Sequence, residues 1–260
     1  MISLPFFQVD AFADRPFAGN PAAVMPLDAW LDDATLQAIA AENNLAETAF
    51  TVPTTGDADY ELRWFTPTVE VALCGHATLA SGHVLIGERD VVRFRTRKAG
   101  VLSVARDGDG YLMSLPAYPA KPRPLPEIVA GLGGSPIETL WHEGRYSLIR
   151  YASEAEILAL APDFRALAAL GDVLYIATAP GSATEVVSRV FAPGAGIDED
   201  PVTGSAHSVL TPYWAAKLGR NVFTAHQASA RGGYVACRLD GDRVVLGGKC
   251  VSVIEGRFSL

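Results

Sequence analysis

The feature that most constrains the fold of this chain is a motif that occurs twice, half a chain apart. RWFTP at residues 63–67 is echoed by RVFAP at residues 189–193, an offset of 126 in a chain of 260 residues. Each copy is followed, 8 or 11 residues after its proline, by a glycine that opens an apolar segment, Gly75 or Gly204. Because strand, turn, glycine and helix recur in the same order, duplication explains the pattern better than chance. Glycines that merely allow close helix packing remain an alternative reading of the two helix starts.

Strand patterns dominate both halves of the chain. Short alternating or apolar runs bounded by turn residues predict strands at residues 6–12, 61–65, 91–96, 102–106, 111–115, 147–151, 173–178, 185–191, 233–239, 243–248 and 251–254. Periodicity and caps predict helices at residues 33–44, 76–86, 154–160 and 205–218. The Pro-dense stretch at residues 121–126 is typical of a stiff linker. The sequence therefore predicts an α+β protein of two similar α/β halves, each with one helix packed into a curved sheet.

Composition excludes several classes of protein. Hydrophobic residues make up 49% of the chain, which excludes a disordered protein. With 21 basic and 29 acidic residues and no basic run, nucleic-acid binding through a basic face is not expected. No apolar run of about 18 residues predicts a membrane span, and the N-terminus lacks a secretion signal, so we expect a cytoplasmic protein. Three scattered cysteines and the histidine spacings predict neither a disulfide framework nor a metal site.

The two glycine-led helix starts are candidate anion sites. Helix N-termini offer unpaired N–H groups and a positive dipole end, which together favour carboxylates. If the two halves face one another, the starts at Gly75 and Gly204 flank one cleft suited to a small carboxylate-bearing metabolite. Three acids, including Asp200, precede the second start. Acids at that position also stabilise a helix without any functional role.

Glu47 breaks the symmetry of the halves, since an offset of 126 places it opposite Val173. It lies between apolar residues at a predicted helix-to-strand junction, where burial favours the uncharged form of a carboxyl. A carboxyl in such a place can both take and return a proton. The alternative for an isolated glutamate after a helix is a solvated surface residue.

Five sequence blocks carry a resemblance to a known family. They are FQVDAF at 7–12, FAGNPAAV at 17–24, NLAETAF at 44–50, RWFTP leading to CGHAT at 63–78, and EDPVTGSA at 199–206. In this order the chain resembles the PhzF-like (phenazine-biosynthesis) family, which shares the diaminopimelate epimerase fold. The resemblance implies two pseudo-symmetric domains, residues 1–118 joined by the last strand at about 251–260, and residues 119–250. It also implies an active site in the cleft between them, no cofactor, a small carboxylate substrate and a homodimer.

The resemblance also implies residue roles. Glu47 would be the general acid/base of an isomerase that shifts a proton on a small cyclic or conjugated amino or carboxylic acid. The substrate-binding residues would be Asn20, Gly75, His76, Asp200, Gly204 and Ser205. No metal is implied.

Two other functions stay open at this point. Related racemases and epimerases use two facing cysteines, and this chain keeps Cys74 but has Asp200 and Pro201 where the second is expected. An amino-acid racemase or epimerase using Cys74 is therefore one alternative. A non-catalytic protein of the same fold that binds small acids is the other.

Overall fold

Strands outnumber helices in the computed structural model, which describes residues 2–260. The chain divides into two compact units, which we call unit 1 (Met1–Ser114 with Gly247–Leu260) and unit 2 (Leu115–Leu246). The sequence places the domain edges at residues 118 and 250. In the structure the chain changes unit four residues before each of these positions, and the last strand belongs to unit 1.

The strands lie along the chain as follows. The first eight are β1 (Ser3–Ala11), β2 (Asn20–Pro26), β3 (Glu47–Pro53), β4 (Tyr60–Phe65), β5 (Glu70–Val71), β6 (Val91–Thr96), β7 (Val101–Asp107) and β8 (Gly110–Pro116). The others are β9 (Lys121–Pro122), β10 (Glu138–His142), β11 (Tyr146–Arg150), β12 (Leu174–Pro180), β13 (Val186–Ala192), β14 (Ile197–Asp200), β15 (Val222–Gln227), β16 (Gly233–Asp240), β17 (Arg243–Gly248) and β18 (Cys250–Ser259).

The helices are fewer and mostly short. They are α1 (Asp33–Asn43), α2 (Gly75–Leu85), α3 (Pro126–Leu132), α4 (Glu154–Ala159), α5 (Phe164–Ala169) and α6 (Gly204–Leu218). A 3₁₀ turn, Pro193–Ala195, follows β13. Within residues 2–260, no helix has both the length and the apolar character that a membrane span requires.

The two units share one pairing pattern. In unit 1, β1, β2, β3, β4, β6 and β7 are neighbours in that order, and the pairs are alternately antiparallel and parallel. In unit 2, β10, β11, β12, β13, β15 and β16 repeat the same alternation. A short strand pairs with the fourth member of each series, β5 with β4 and β14 with β13. The predicted fold class, two pseudo-symmetric α/β halves, is confirmed.

One helix lies at the centre of each unit. The first eight residues of α2 are buried, and the helix packs against β1, β2, β3 and β7. At Gly82 the approach is so close that a Cβ would lie 2.4 Å from the Val104 side chain. Helix α6 is likewise buried along one side and packs against β11 and β16. Pro212 within α6 cannot donate to Ser208, and the Ser208 carbonyl instead accepts the Tyr118 N–H at 2.9 Å.

The Pro-dense stretch is not the linker that its composition predicts. Lys121 and Pro122 form β9, which pairs with Trp141 and Leu140 of β10 inside unit 2. Pro126 then begins α3, at a position where proline is favoured because its missing N–H would have no partner in the helix. The prediction of a linker was wrong because these prolines occupy positions in regular structure that tolerate proline: Pro122 lies in a short strand and Pro126 starts a helix.

Candidate active site

Three elements of unit 1 begin at one place. Asn20 is the first residue of β2, Glu47 is the first residue of β3, and Gly75 and His76 open α2. Strands β2 and β3 are parallel neighbours, with Ala22 paired to Glu47, so their starts share one sheet edge. The turn before β3 forms because α1 ends at Asn44 in the left-handed conformation, with φ of 48°.

The side chains at this edge meet around the His76 ring. His76 Nε2 lies 3.0 Å from Glu47 Oε2, and His76 Nδ1 lies 3.1 Å from Asn20 Nδ2 and 3.5 Å from Cys74 Sγ. The Glu47 and His76 side chains are 12% and 4% exposed. The two groups form a close ion pair, and no described residue other than His76 donates a hydrogen bond to Glu47 Oε2.

Burial and the neighbouring groups set the protonation of the ring and the thiol. Burial acts to lower the pKa of His76, but the adjacent Cys74 sulfur and Glu47 carboxylate outweigh it and hold that pKa well above its usual value. Burial and the Glu47 carboxylate raise the pKa of Cys74 to about 11. At neutral pH the Cys74 thiol is therefore protonated, and the His76 ring lies between that thiol and a carboxyl group that favours its charged form.

The predicted residues of unit 2 gather at the start of α6. Thr203 Oγ1 donates to Asp200 Oδ2 at 2.5 Å, and the Thr203 N–H donates to Gln227 Oε1 at 2.8 Å. Gln227 Nε2 in turn donates to the Asp200 carbonyl at 2.7 Å. Gly204 opens the helix, and the Ser205 side chain lies near the Tyr146 hydroxyl. Burial is the main cause that raises the pKa of Tyr146, although the Ser205 contact acts to lower it.

Two correspondences between the halves differ from those read off the sequence. Strand register pairs Thr48 with Phe65 and Tyr175 with Phe191, so the counterpart of Glu47 is Leu174 and not Val173. The offset grows by one because the connection between β3 and β4 is one residue longer than that between β12 and β13.

The counterpart of Cys74 also differs from the prediction. Cys74 is the extended residue that precedes α2, and Thr203 is the extended residue that precedes α6. Thr203, rather than Asp200 or Pro201, therefore occupies the place of a second cysteine. The error arose because the acid-rich loop before α6 is three residues longer than the loop before α2.

Sequence reasoning missed Gln227 and the role of Thr203. Gln227 lies in β15, where Phe223, Ala225 and Gln227 alternate on the buried face. A long polar side chain at a buried position of an alternating strand is the signal that could have identified it, because such a group needs hydrogen-bond partners.

The chain is similar to a known family over nearly its whole length. A family profile described as "Phenazine biosynthesis-like protein" matches residues 9–119 and 132–256. Two Pseudomonas aeruginosa proteins, each named an uncharacterized isomerase, are 50% and 49% identical over all of this chain and all of their own length. A crystal structure of a PhzF-family phenazine biosynthesis protein from Enterococcus faecalis superposes with a TM-score of 0.93 at 42% identity, covering both chains completely. These relatives support an isomerase-type role in general terms.

Proposed function

Because this chain belongs to the phenazine biosynthesis-like (PhzC-PhzF) family, we propose that it is a proton-transfer isomerase with Glu47 as its general acid/base. The proposed substrate is a small cyclic or conjugated amino or carboxylic acid, and the proposed reaction requires no cofactor. Glu47 would remove a proton from carbon and return it to another atom of the same molecule.

The observation that carries this proposal is the setting of the Glu47 carboxyl. A group that exchanges protons with a substrate needs an oxygen that is not held by a permanent donor. Among the described residues, the only donor near Glu47 Oε2 is His76 Nε2 at 3.0 Å, which is itself a group that can release and take up a proton. When it is protonated, the ring offsets the charge of the carboxylate, and Asn20 Nδ2 lies 3.1 Å from the other ring nitrogen, to which it donates when that nitrogen bears no proton. An amide can offer either an N–H or a carbonyl, so Asn20 can follow the ring through both protonation states.

The helix starts support the carboxylate part of the proposal. Neither the Cys74 side chain nor the Thr203 side chain caps its own helix through a hydrogen bond in residues 2–260. The first N–H groups of α2 and α6 therefore remain available to an anion, and the dipole of each helix favours negative charge there. We propose that Gly75 and His76, and Gly204 and Ser205, supply these N–H groups to the substrate.

Glu47→Gln tests the proposal directly. Amide for carboxyl keeps the shape of the side chain but removes the proton acceptor, so turnover should fall by about 10²–10⁴-fold. The measurement is incorporation of solvent deuterium into the substrate, screened over cyclic amino acids and hydroxyanthranilate analogues. Glu42→Gln, on the exposed face of α1, is the matched control and should keep full activity. Equal rates for Glu47→Gln and the native protein would refute the assignment.

The thiol alternative lacks the same support. A base must be deprotonated to act, and the Cys74 thiol, with a pKa of about 11, is protonated at neutral pH. Its counterpart Thr203 carries no thiol, so two facing cysteines are not present at the two helix starts. Tight binding of a small acid with no deuterium exchange, in native protein, would instead favour the non-catalytic alternative.

A further inference from the structure

Three different metal-ligating side chains meet at the start of α2: those of Glu47, Cys74 and His76. The spacing of these residues in the sequence does not match a common metal-binding motif. The ligand atoms of Glu47, Cys74 and His76 all lie within 4.8 Å of one another. We infer that these three side chains form a binding site for a thiophilic divalent cation, of which Zn²⁺ is the best match. This inference concerns binding and does not depend on the proposed reaction.

The distances fit a shared tetrahedral ion. Zinc bonds of about 2.3 Å to sulfur and about 2.0–2.1 Å to nitrogen place the two ligand atoms about 3.5 Å apart. One ion binds only one nitrogen of the ring, and Nε2 is the nitrogen that faces Glu47. Cys74 Sγ lies 4.0 Å from Nε2 and 3.5 Å from Nδ1. A carboxylate oxygen and a nitrogen on one zinc ion are about 3.4 Å apart, and Glu47 Oε2 lies 3.0 Å from His76 Nε2. To share one ion on Nε2, the Cys74 side chain must turn from the Nδ1 edge of the ring toward the Nε2 edge, and Glu47 Oε2 must move back by about 0.4 Å.

The charges and the chemistry of the donors favour the same class of ion. One thiolate and one carboxylate balance the two charges of Zn²⁺, so the buried cluster is neutral when the ring is neutral. As the zinc bonds form, the Cys74 S–H bond and the N–H bond of the His76 nitrogen that takes the metal both break. The two protons leave to solvent, because every metal ligand must be deprotonated. Sulfur, nitrogen and a single oxygen suit zinc or cadmium, whereas magnesium and calcium take sets of oxygens.

Access to the cluster is from the Glu47 side. Its side chain is 12% exposed, against 4% for His76, so the open coordination position would face the Glu47 edge and take a water molecule. A bound ion would occupy the carboxylate that we propose as the acid/base. It would therefore inhibit turnover, and this consequence, unlike the binding, rests on the proposed function.

Cobalt spectroscopy on the full chain tests the binding. Co²⁺ substitutes for Zn²⁺ and gives a thiolate-to-cobalt charge-transfer absorption only when sulfur is a ligand. We expect that absorption at one ion per chain, its loss on adding one equivalent of Zn²⁺, and its absence in Cys74→Ser. Cys250→Ser, which removes a cysteine from β18, is the matched control and should keep it. No charge-transfer band in the native protein, or a band that persists in Cys74→Ser, would overturn the inference.

A second variant keeps the test decisive if Cys74→Ser does not fold. Glu47→Gln removes one ligand while keeping its shape, and it should weaken Zn²⁺ binding, measured by calorimetry, by more than tenfold. Unchanged affinity in that variant would exclude Glu47 from the site and overturn the inference. The two proposals fail separately. If Glu47→Gln turns over normally but loses metal, only the proposed function falls; if it loses turnover but the native protein shows no thiolate band, only the metal site falls.

Discussion

Helices α2 and α6 begin in the same way. Each follows an extended residue, Cys74 or Thr203, and each opens with a glycine. Four residues after that extended residue, a side chain binds back to its carbonyl: the Thr78 hydroxyl donates to the Cys74 carbonyl at 2.6 Å, and His207 Nδ1 lies 2.8 Å from the Thr203 carbonyl. The two halves therefore share one arrangement at the start of the central helix: a side chain in the first turn contacts the carbonyl of the residue that precedes the helix.

The pKa values of the histidines near these starts are shifted in opposite directions. His76 lies beside the Glu47 carboxylate, and its pKa is raised well above the usual value. His207 is fully buried, bonds only to a backbone carbonyl among the described residues, and has its pKa lowered by burial to about 4. Burial acts in the same direction on both rings. The comparison teaches that the neighbouring acidic groups, the Cys74 sulfur and the Glu47 carboxylate, and not depth, raise the pKa of His76 while that of His207 is lowered.

The arginine of the repeated motif, Arg63 or Arg189, makes the same contacts in both halves. Arg63 makes paired bonds to Glu70 at 2.8 and 2.9 Å, and Arg189 makes paired bonds to Glu199 at 2.7 and 2.9 Å. Each guanidinium also lies about 5 Å from the ring of the phenylalanine two residues later. These ion pairs tie the fourth strand to the segment before the central helix in both units. The strands and the arginine–glutamate ion pairs are thus common to both halves, whereas residues of the first turn of the central helix differ between them.

The largest expected effect concerns acid stability and His207. Its folded pKa of about 4 lies below the unfolded value of about 6.5. The ring therefore contributes stability that is fully present above pH 6.5 and is lost as the pH falls toward 4. The full loss amounts to about 3 kcal/mol. Because carboxylates titrate in the same range, the quantity to measure is the difference in urea-unfolding free energy between the native protein and His207→Gln at pH 7 and pH 4. If the difference in unfolding free energy between the native protein and His207→Gln is the same at pH 7 and pH 4, the pKa of His207 is not lowered and the contrast with His76 fails.

The next effect concerns His76. His76→Gln keeps a polar side chain but removes the ionisable ring that faces Glu47, so turnover should fall by about 10- to 100-fold, less than for Glu47→Gln, since the base itself remains. His83→Gln, near the other end of the same helix, is the control and should stay within about twofold. Deuterium exchange on the true substrate gives both rates. A loss of turnover that is larger for His83→Gln than for His76→Gln would contradict a specific role of His76 in the site.

A smaller effect is expected at Gln227, which holds the loop before α6. Gln227→Ala leaves the buried Thr203 N–H and the Asp200 carbonyl without this partner, which should cost about 1–3 kcal/mol of unfolding free energy. Because Gln227 would act through Thr203 and Asp200, we expect KM to rise by about tenfold while kcat changes less. Thr224→Ala, exposed on the same strand, should leave both constants unchanged. A fall in kcat with constant KM would contradict a positioning role.

Much of the frame could be predicted from the sequence, because it depends on local patterns. Alternation identified most strands, and the helix-to-strand junction singled out Glu47. What could not be predicted depends on contacts between distant segments. Gln227 meets Thr203 across 24 residues, and His76 meets Asn20 across 56. A loop longer by one residue shifted the counterpart of Glu47 from Val173 to Leu174, which a fixed offset cannot detect.

The smallest effect is expected at Cys74, and it separates the two helix starts by chemistry rather than by position. With a pKa of about 11, about 10⁻⁴ of this thiol is thiolate at pH 7. Iodoacetamide should therefore leave Cys74 unmodified in the native protein and label it only after unfolding, as mass spectrometry of the alkylated peptides would show. Cys74→Thr, which copies the residue at the start of α6, should lower turnover by less than tenfold. Rapid labelling of Cys74 in the native protein, together with a loss of turnover in Cys74→Thr as large as that in Glu47→Gln, would identify the Cys74 sulfur as the base. The thiol mechanism would then be favoured over the carboxyl mechanism.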